Sequence, residues 1–163
     1  MSTPEPGSLS GLAIGIDVGG TGVKAAIVDL ATAELVSARV RDRTPQPSTP
    51  PAVLETMASV VGRVLADARK DGMDEDTLAD LPVGCGVPGP IKGGVMKTAA
   101  NLDAGWVDFD AAAGISTALG RQVHVINDAD AAGMAELAYG EARGRAGRII
   151  LLTVGTGSGS GLI

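Results

Sequence analysis

The segment Asp17-Val-Gly-Gly-Thr-Gly-Val-Lys24 constrains this chain more than any other. It joins two apolar stretches, Leu12 to Asp17 and Val23 to Leu30, that read as strands. Successive glycines between strands make a hairpin whose backbone N–H groups can turn toward an anion. A strand rather than a helix follows, so this is not a dinucleotide fingerprint, and the Gly-Lys-Ser/Thr of a P-loop is missing. A plain Gly-rich turn would explain the glycines but not an acid at the end of an apolar strand. Gly19 and Gly20 therefore read as a phosphate cradle, with Asp17 able to hold Mg²⁺ directly or through water. The Thr21 hydroxyl can donate to a phosphoryl oxygen, and Lys24 adds a compensating charge.

The remaining segments predict an α/β unit. Glu34 to Arg41 alternates as a third strand, and prolines 45, 47, 50 and 51 make Thr44 to Pro51 an extended linker or loop before any helix. Val53, Met57, Val60, Val61, Val64, Leu65 and Ala68 recur at helical spacing and predict an amphipathic helix closing near Gly72. Acidic Met73 to Asp80 reads as a solvated connection. A strand at Val83 to Val87 follows, stopped by Pro88-Gly89-Pro90. Phe109 to Leu119 is expected as a helix, Gln122 to Ile126 as a strand, Asp128 to Ala142 as a helix and Arg148 to Val154 as a strand.

Two further motifs carry chemistry. Gly155-Thr156-Gly157 forms a second glycine turn, after which Ser158 to Ile163 begins another strand. Two such loops can grip one phosphate chain from opposite sides, although Gly/Ser repeats alone also make linkers. Asn127-Asp128 falls where a strand ends and a helix begins, a position that faces the ligand crevice in open α/β sheets. A carboxylate there can accept a hydroxyl proton or simply cap the helix. Arg143, Arg145 and Arg148 form a basic cluster near the second loop, read either as a contact to a polyanionic donor or as a solvated turn. His124 lies within a strand and reads as structural; for Trp106, packing and a role in a ligand-contacting loop compete.

In order and spacing, Asp17 to Lys24, Val87-Pro-Gly-Pro90, Thr98-Ala-Ala-Asn-Leu-Asp103 with Trp106, Val125-Ile-Asn-Asp-Ala-Asp130 and Leu152 to Gly159 resemble the ROK-family sugar kinases, from Leu12 to Ile163. The segment Thr44 to Pro50 and the Thr-Ala-Ala-Asn-Leu-Asp stretch resemble the family's polyphosphate glucokinase branch more than its ATP-only members. The resemblance implies an actin-like ATPase (ribonuclease H-like) fold, with a mixed sheet of order βββαβαβα. It also implies Mg²⁺-dependent phosphoryl transfer from ATP or inorganic polyphosphate to the 6-hydroxyl of glucose, and leaves open whether mannose is accepted beside glucose. Asp128 would match the family's catalytic base and Asn127 a sugar ligand, while Asn101 would lie in a loop that approaches the sugar or serve that loop structurally.

The 163 residues suit one domain at the usual ~100–200 residues each. The expected division is a disordered tail over 1–11, the ATPase domain over 12–147, and the first hairpin of a second domain over 148–163. With one Trp, one Tyr and one Phe, the core must come from aliphatic side chains. A net charge of -6 argues against a nucleic-acid binder, which normally shows a basic footprint, and leaves room only for a local basic patch. Cys85 is the lone cysteine, expected as a small buried strand residue in a reducing cytoplasm. No apolar run is long enough to span a bilayer. The family's later sugar, zinc, adenosine and dimer elements find no counterpart in this sequence, and the apolar hairpin at 148–163 would expose a strand edge that self-association into a homodimer could cover. Two other readings follow: a non-catalytic sugar- or phosphate-binding module, and a ROK-type transcriptional regulator. The second would need an N-terminal winged helix that the first eleven residues leave no room for.

Overall fold

The structure, a computed structural model, describes residues 11–143, 150–154 and 158–162. Strand β1 (Leu12–Val18) pairs antiparallel with β2 (Val23–Asp29), which pairs antiparallel with β3 (Val40–Asp42). On its other side β1 runs parallel to β4 (Val83–Val87), and β4 parallel to β7 (Val123–Asn127), giving a mixed sheet of order β3-β2-β1-β4-β7. The α/β class expected from the sequence is the class observed.

Alternation sorts each strand's side chains between two faces. Ile14, Ile16 and Val18 of β1 share one face with Val23, Ala25 and Ile27 of β2 and with Val83, Cys85 and Val87 of β4. That face is buried under α1 (Pro50–Lys70), whose Val53, Met57, Val60, Val61 and Val64 are all inaccessible or nearly so, and under α3 (Ala111–Leu119) through Ala111 and Ile115. Asp17, Lys24 and Gly86 fall on the other face, where α4 (Asp128–Tyr139) packs over β4 and β7. The same helix contacts the hairpin of β8 (Ile150–Val154) and β9 (Ser158–Leu162).

Several expectations are corrected. The third strand is not Glu34 to Arg41: only Val40–Asp42 joins the ladder beyond an isolated bridge from Val28 to Leu35. The cause is a side chain reaching across the ladder: the Ser37 hydroxyl accepts from the Ile27 N–H at 2.9 Å and takes the place of a strand partner. Helix α1 starts at Pro50, inside the proline-rich segment, where Pro50 and Pro51 supply no N–H groups to be left unsatisfied in the first turn. Met73 to Asp80 is not merely solvated. It forms α2 (Glu75–Asp80), capped by Asp74 accepting from Thr77 N–H at 2.8 Å and anchored by the buried Leu78. A small hairpin, β5 (Ile91–Lys92) with β6 (Val95–Met96), turns through Gly93 and Gly94 with both φ values positive, a type that glycine pairs favour.

Candidate functional site

The carboxyl ends of β1, β4 and β7 lie side by side, and the sequence places its polar candidates there. Asp17 pairs in register with Gly86, and Val87 with Asn127, so Asp17 and Asn127-Asp128 end neighbouring parallel strands with β4 between them. Gly86 lies directly beneath Asp128: a Cβ at that position would stand at ordinary contact distance, 3.6 Å from Asp128 Cα and 3.8 Å from its Cβ. The crevice outside the carboxyl ends of parallel strands is where ligands bind in such sheets.

The glycine hairpin closes over one side of this crevice. Gly19 N–H donates to Gly22 O at 2.9 Å, fixing a tight turn with Thr21 exposed at its tip. Lys24 Nζ sits 2.7 Å from Asp17 Oδ2. With side chains 34% and 52% exposed, this pair contributes on the order of 0.2–1 kcal/mol and serves mainly to aim the carboxylate. Asp17 stands without a cage: no cluster of three or more His, Cys, Asp or Glu that could hold a metal occurs among the described residues. A lone accessible carboxylate suits Mg²⁺, which keeps several waters and shares its remaining positions with phosphate oxygens. Asp17 is the residue that would hold it.

The third wall is the loop carrying Asn101. Its backbone packs directly on the glycine hairpin, since a Cβ at Gly20 would meet Asn101 O at 2.8 Å. Next in the chain, Asp103 caps a short turn by accepting from Gly105 N–H at 2.8 Å, and Trp106 is fully buried. Trp106 donates from Nε1 to Ser48 O at 2.9 Å and meets Phe109 edge-on with ring centroids 5.3 Å apart. Of the two roles weighed for it, packing is the one the geometry supports.

Sequence reasoning missed the part that holds these walls together. The proline-rich segment is a brace rather than a linker. Thr44 Oγ1 donates to Gly19 O and Thr44 N–H to Thr21 O, while Ser48 Oγ accepts from Asp103 N–H at 3.0 Å. Thr44 and Ser48 are the buried polar residues of the described core, at 6% and 5% exposure. A Thr and a Ser among prolines carry no local signal of burial, because their partners lie far away in sequence.

At the helix end, Asn127 caps α4, its Oδ1 accepting from Ala129 N–H at 3.0 Å and Asp130 N–H at 3.2 Å. The cap is therefore Asn127, and Asp128 is the first helical residue, exposed, with Oδ1 accepting from Ala129 N–H at 2.8 Å. Asn127 Nδ2 also reaches Val87 O at 3.4 Å. Cys85 is buried beneath the site, and burial, with the Asp17 charge as a second cause, pushes its thiol up to about 12. It behaves as the small inert hydrophobe expected.

Other candidates lie elsewhere. Arg143 follows the C-terminal end of α4, so the helix's length, roughly 18 Å, separates it from Asp128. Arg145, Arg148, Gly155, Thr156 and Gly157 lie outside the described residues, as do residues 1–10. His124 is exposed and lines a depression of about 410 Å³ with Asp80, Leu81, Arg121 and Gln122, at the amino ends of β4 and β7. That depression lies at the opposite end of the sheet from Asp17 and Asp128.

An antiparallel hairpin with a glycine turn, followed by parallel strands whose ends present Asp17 and Asp128, is the architecture of the actin-like ATPases. Within that class the sequence matches the ROK family over residues 13–163, and the chain belongs to it. It is 45% identical over 150 residues to the polyphosphate glucokinase of Mycobacterium tuberculosis strain H37Rv, covering 91% of this chain and 52% of that protein. The glucokinase of Streptomyces coelicolor is 32% identical, with 94% and 44% covered. Among solved structures, the inorganic polyphosphate/ATP-glucomannokinase of Arthrobacter sp. strain KM superimposes with a TM-score of 0.85 at 47% identity, over 94% of this chain and 58% of that one. The chain spans about half the length of the curated relatives it matches.

Proposed function

We propose that this chain carries the donor-binding and catalytic half of a glucokinase. The enzyme would transfer a phosphoryl group from inorganic polyphosphate or ATP, with Mg²⁺, to the 6-hydroxyl of glucose. The observation that carries the reading is the meeting of the glycine hairpin, the Asn101 loop and Asn127-Asp128 at the carboxyl ends of three adjacent strands. The names of its relatives, polyphosphate glucokinase and glucokinase, support the substrate class. That of the Arthrobacter glucomannokinase supports mannose as a second acceptor.

In this reading Asp128 accepts the proton of the sugar 6-hydroxyl as its oxygen attacks the terminal phosphorus. The bond to the leaving phosphate breaks, and the donor departs one phosphoryl group shorter. Asn127 and Asn101 hold sugar hydroxyls. Gly19, Gly20 and Thr21 bind phosphoryl oxygens from one side, and Gly155, Thr156 and Gly157 from the other. Bound at Asp17, Mg²⁺ would neutralise donor charge, which with positioning is most of what phosphoryl transfer needs. Residues 12–147 form the ATPase domain, and 148–163 open a second. A cytoplasmic setting fits these substrates, and no helix among the described residues is long and apolar enough to cross a membrane.

The test is coupled detection of glucose 6-phosphate with Mg²⁺, glucose and either donor. Asp128→Asn keeps the shape of the helix start and removes the base, so kcat should fall about 10²–10⁴-fold while glucose still binds. A folded wild type that binds glucose and polyphosphate but turns over neither donor would sink the proposal and leave a binding module.

A further inference from the structure

Arg41 sits where nothing in the linear sequence points to a ligand. It lies in β3, directly across from Lys24 of β2, which is itself across from Asp17 of β1. Directly opposed residues share a face, so Asp17, Lys24 and Arg41 form one row on the crevice side of the sheet. The row crosses two strand spacings, roughly 10 Å. Gly22 lies two residues before Lys24 and so presents the same face. A Cβ there would stand 2.9 Å from Arg41 Nε and 3.2 Å from a terminal guanidinium nitrogen. The guanidinium is therefore laid against the glycine hairpin, in space that the missing side chain of Gly22 leaves open.

Exposed Arg39 and Arg43 flank Arg41 in the chain, and its placement against Gly22 is what singles Arg41 out. Lys24 is paired with Asp17, and Asp42 with Arg63. The Arg41 side chain is exposed and makes no hydrogen bond or ion pair among the described residues. An uncommitted planar fork of N–H donors, resting on the hairpin read as the phosphate cradle, matches the geometry of a phosphate group.

We propose that Arg41 is a donor-binding residue, holding the second or third phosphate of a phosphoanhydride chain whose terminal group lies at Asp17 and the glycine hairpin. This rests on the kinase reading for the identity of the ligand. It adds a contact beyond the transferred group, supplied by a strand that the motifs do not include.

The test measures binding and turnover separately. Titration calorimetry of the chain with tripolyphosphate and Mg²⁺, and again with ATP and Mg²⁺, should show Arg41→Ala weakening affinity about tenfold. Arg41→Lys should fall between, since it keeps the charge and loses the fork. Lys70→Ala, an equal change in net charge on the last turn of α1, should leave affinity unchanged. In turnover, donor KM should rise about tenfold for Arg41→Ala, with kcat and glucose KM within about twofold, a split that a structural role would not produce. A loss confined to tripolyphosphate places the contact on the polyphosphate path; a loss with both donors places it on the shared stretch. Unchanged affinity in Arg41→Ala, or an equal loss in Lys70→Ala, overturns the assignment. Should the wild type bind tripolyphosphate without turning it over, the binding series still decides the role of Arg41, and the kinase reading alone fails.

Discussion

Replacing Gly20 by Ala tests the contact between the glycine hairpin and the Asn101 loop. Neither Gly19 nor Gly20 has positive φ, so alanine is conformationally allowed at both and any penalty is steric. At Gly20 the new Cβ would lie 2.8 Å from the Asn101 carbonyl oxygen and 3.2 Å from Asn101 Cβ, so backbone must yield. Overpacking of this kind costs about 1–3 kcal/mol, offset by about 0.4–1 kcal/mol from the stiffer unfolded chain. The net loss is about 0–2.6 kcal/mol, or up to about 10 °C in Tm for a chain of this size. At Gly19 the nearest atom, Gly22 O, is at an ordinary 3.5 Å. Gly19→Ala should therefore match wild type or gain slightly. Thermal unfolding followed by far-UV circular dichroism ranks the two variants. If Gly20→Ala is as stable as Gly19→Ala, the close approach of the loops is wrong, and with it the argument that Asn101 belongs to the site.

Ser48→Ala removes a buried acceptor from Asp103 N–H and should cost about 1–3 kcal/mol in urea unfolding. Trp106→Phe leaves Ser48 O without its Nε1 donor and should cost a similar amount, with loss of near-UV structure around Phe109. The two effects should be less than additive, because both residues serve one junction. Cys85 should stay unreactive to a thiol reagent at pH 8 until the chain unfolds. Its folded value of about 12 lies above the reference 9.0, so the unfolded state releases the proton first. Stability from this source is complete below pH 9 and is lost as pH rises toward 12, a slope that Cys85→Ala should lack.

The sheet and its two main helices were legible because their signals are local. Alternation in β1, β2 and β4 and the three-four spacing from Val53 to Ala68 are set by which side chains must leave water. The same holds for Asp17, Gly19, Gly20 and Asn127-Asp128, which sit at strand ends that glycines and caps announce. What was misread depended on distant partners. Ser37 ends the third strand's pairing by bonding Ile27 across the ladder. Leu78 turns an acidic stretch into a helix by finding the core. Arg41 reaches the hairpin only because β3 lies beside β2. Thr44 and Ser48 look like solvated loop residues until the chain brings the hairpin and the Asn101 loop to either side of them.

That last pair bears on how the crevice could work. In the proposed function the glycine hairpin would face the donor and the Asn101 loop the acceptor, so transfer would need their separation fixed to a fraction of an ångström. Each loop alone is a surface turn. Thr44 holds the hairpin at Gly19 and Thr21, and four residues later Ser48 holds the Asn101–Trp106 turn through Asp103 and Trp106. Pro45 and Pro47 stiffen the stretch between the two anchors, and Pro50 starts α1 immediately after it. Donor and acceptor walls are thus referred to one short rigid segment seated on the core helix rather than to each other. It follows that Ser48→Ala and Thr44→Val should lower kcat more than either substrate's KM, since each loop would keep its own groups while the distance between the loops loosened. Equal loss in kcat/KM for one substrate only, with kcat preserved, would show that the segment supports a single wall.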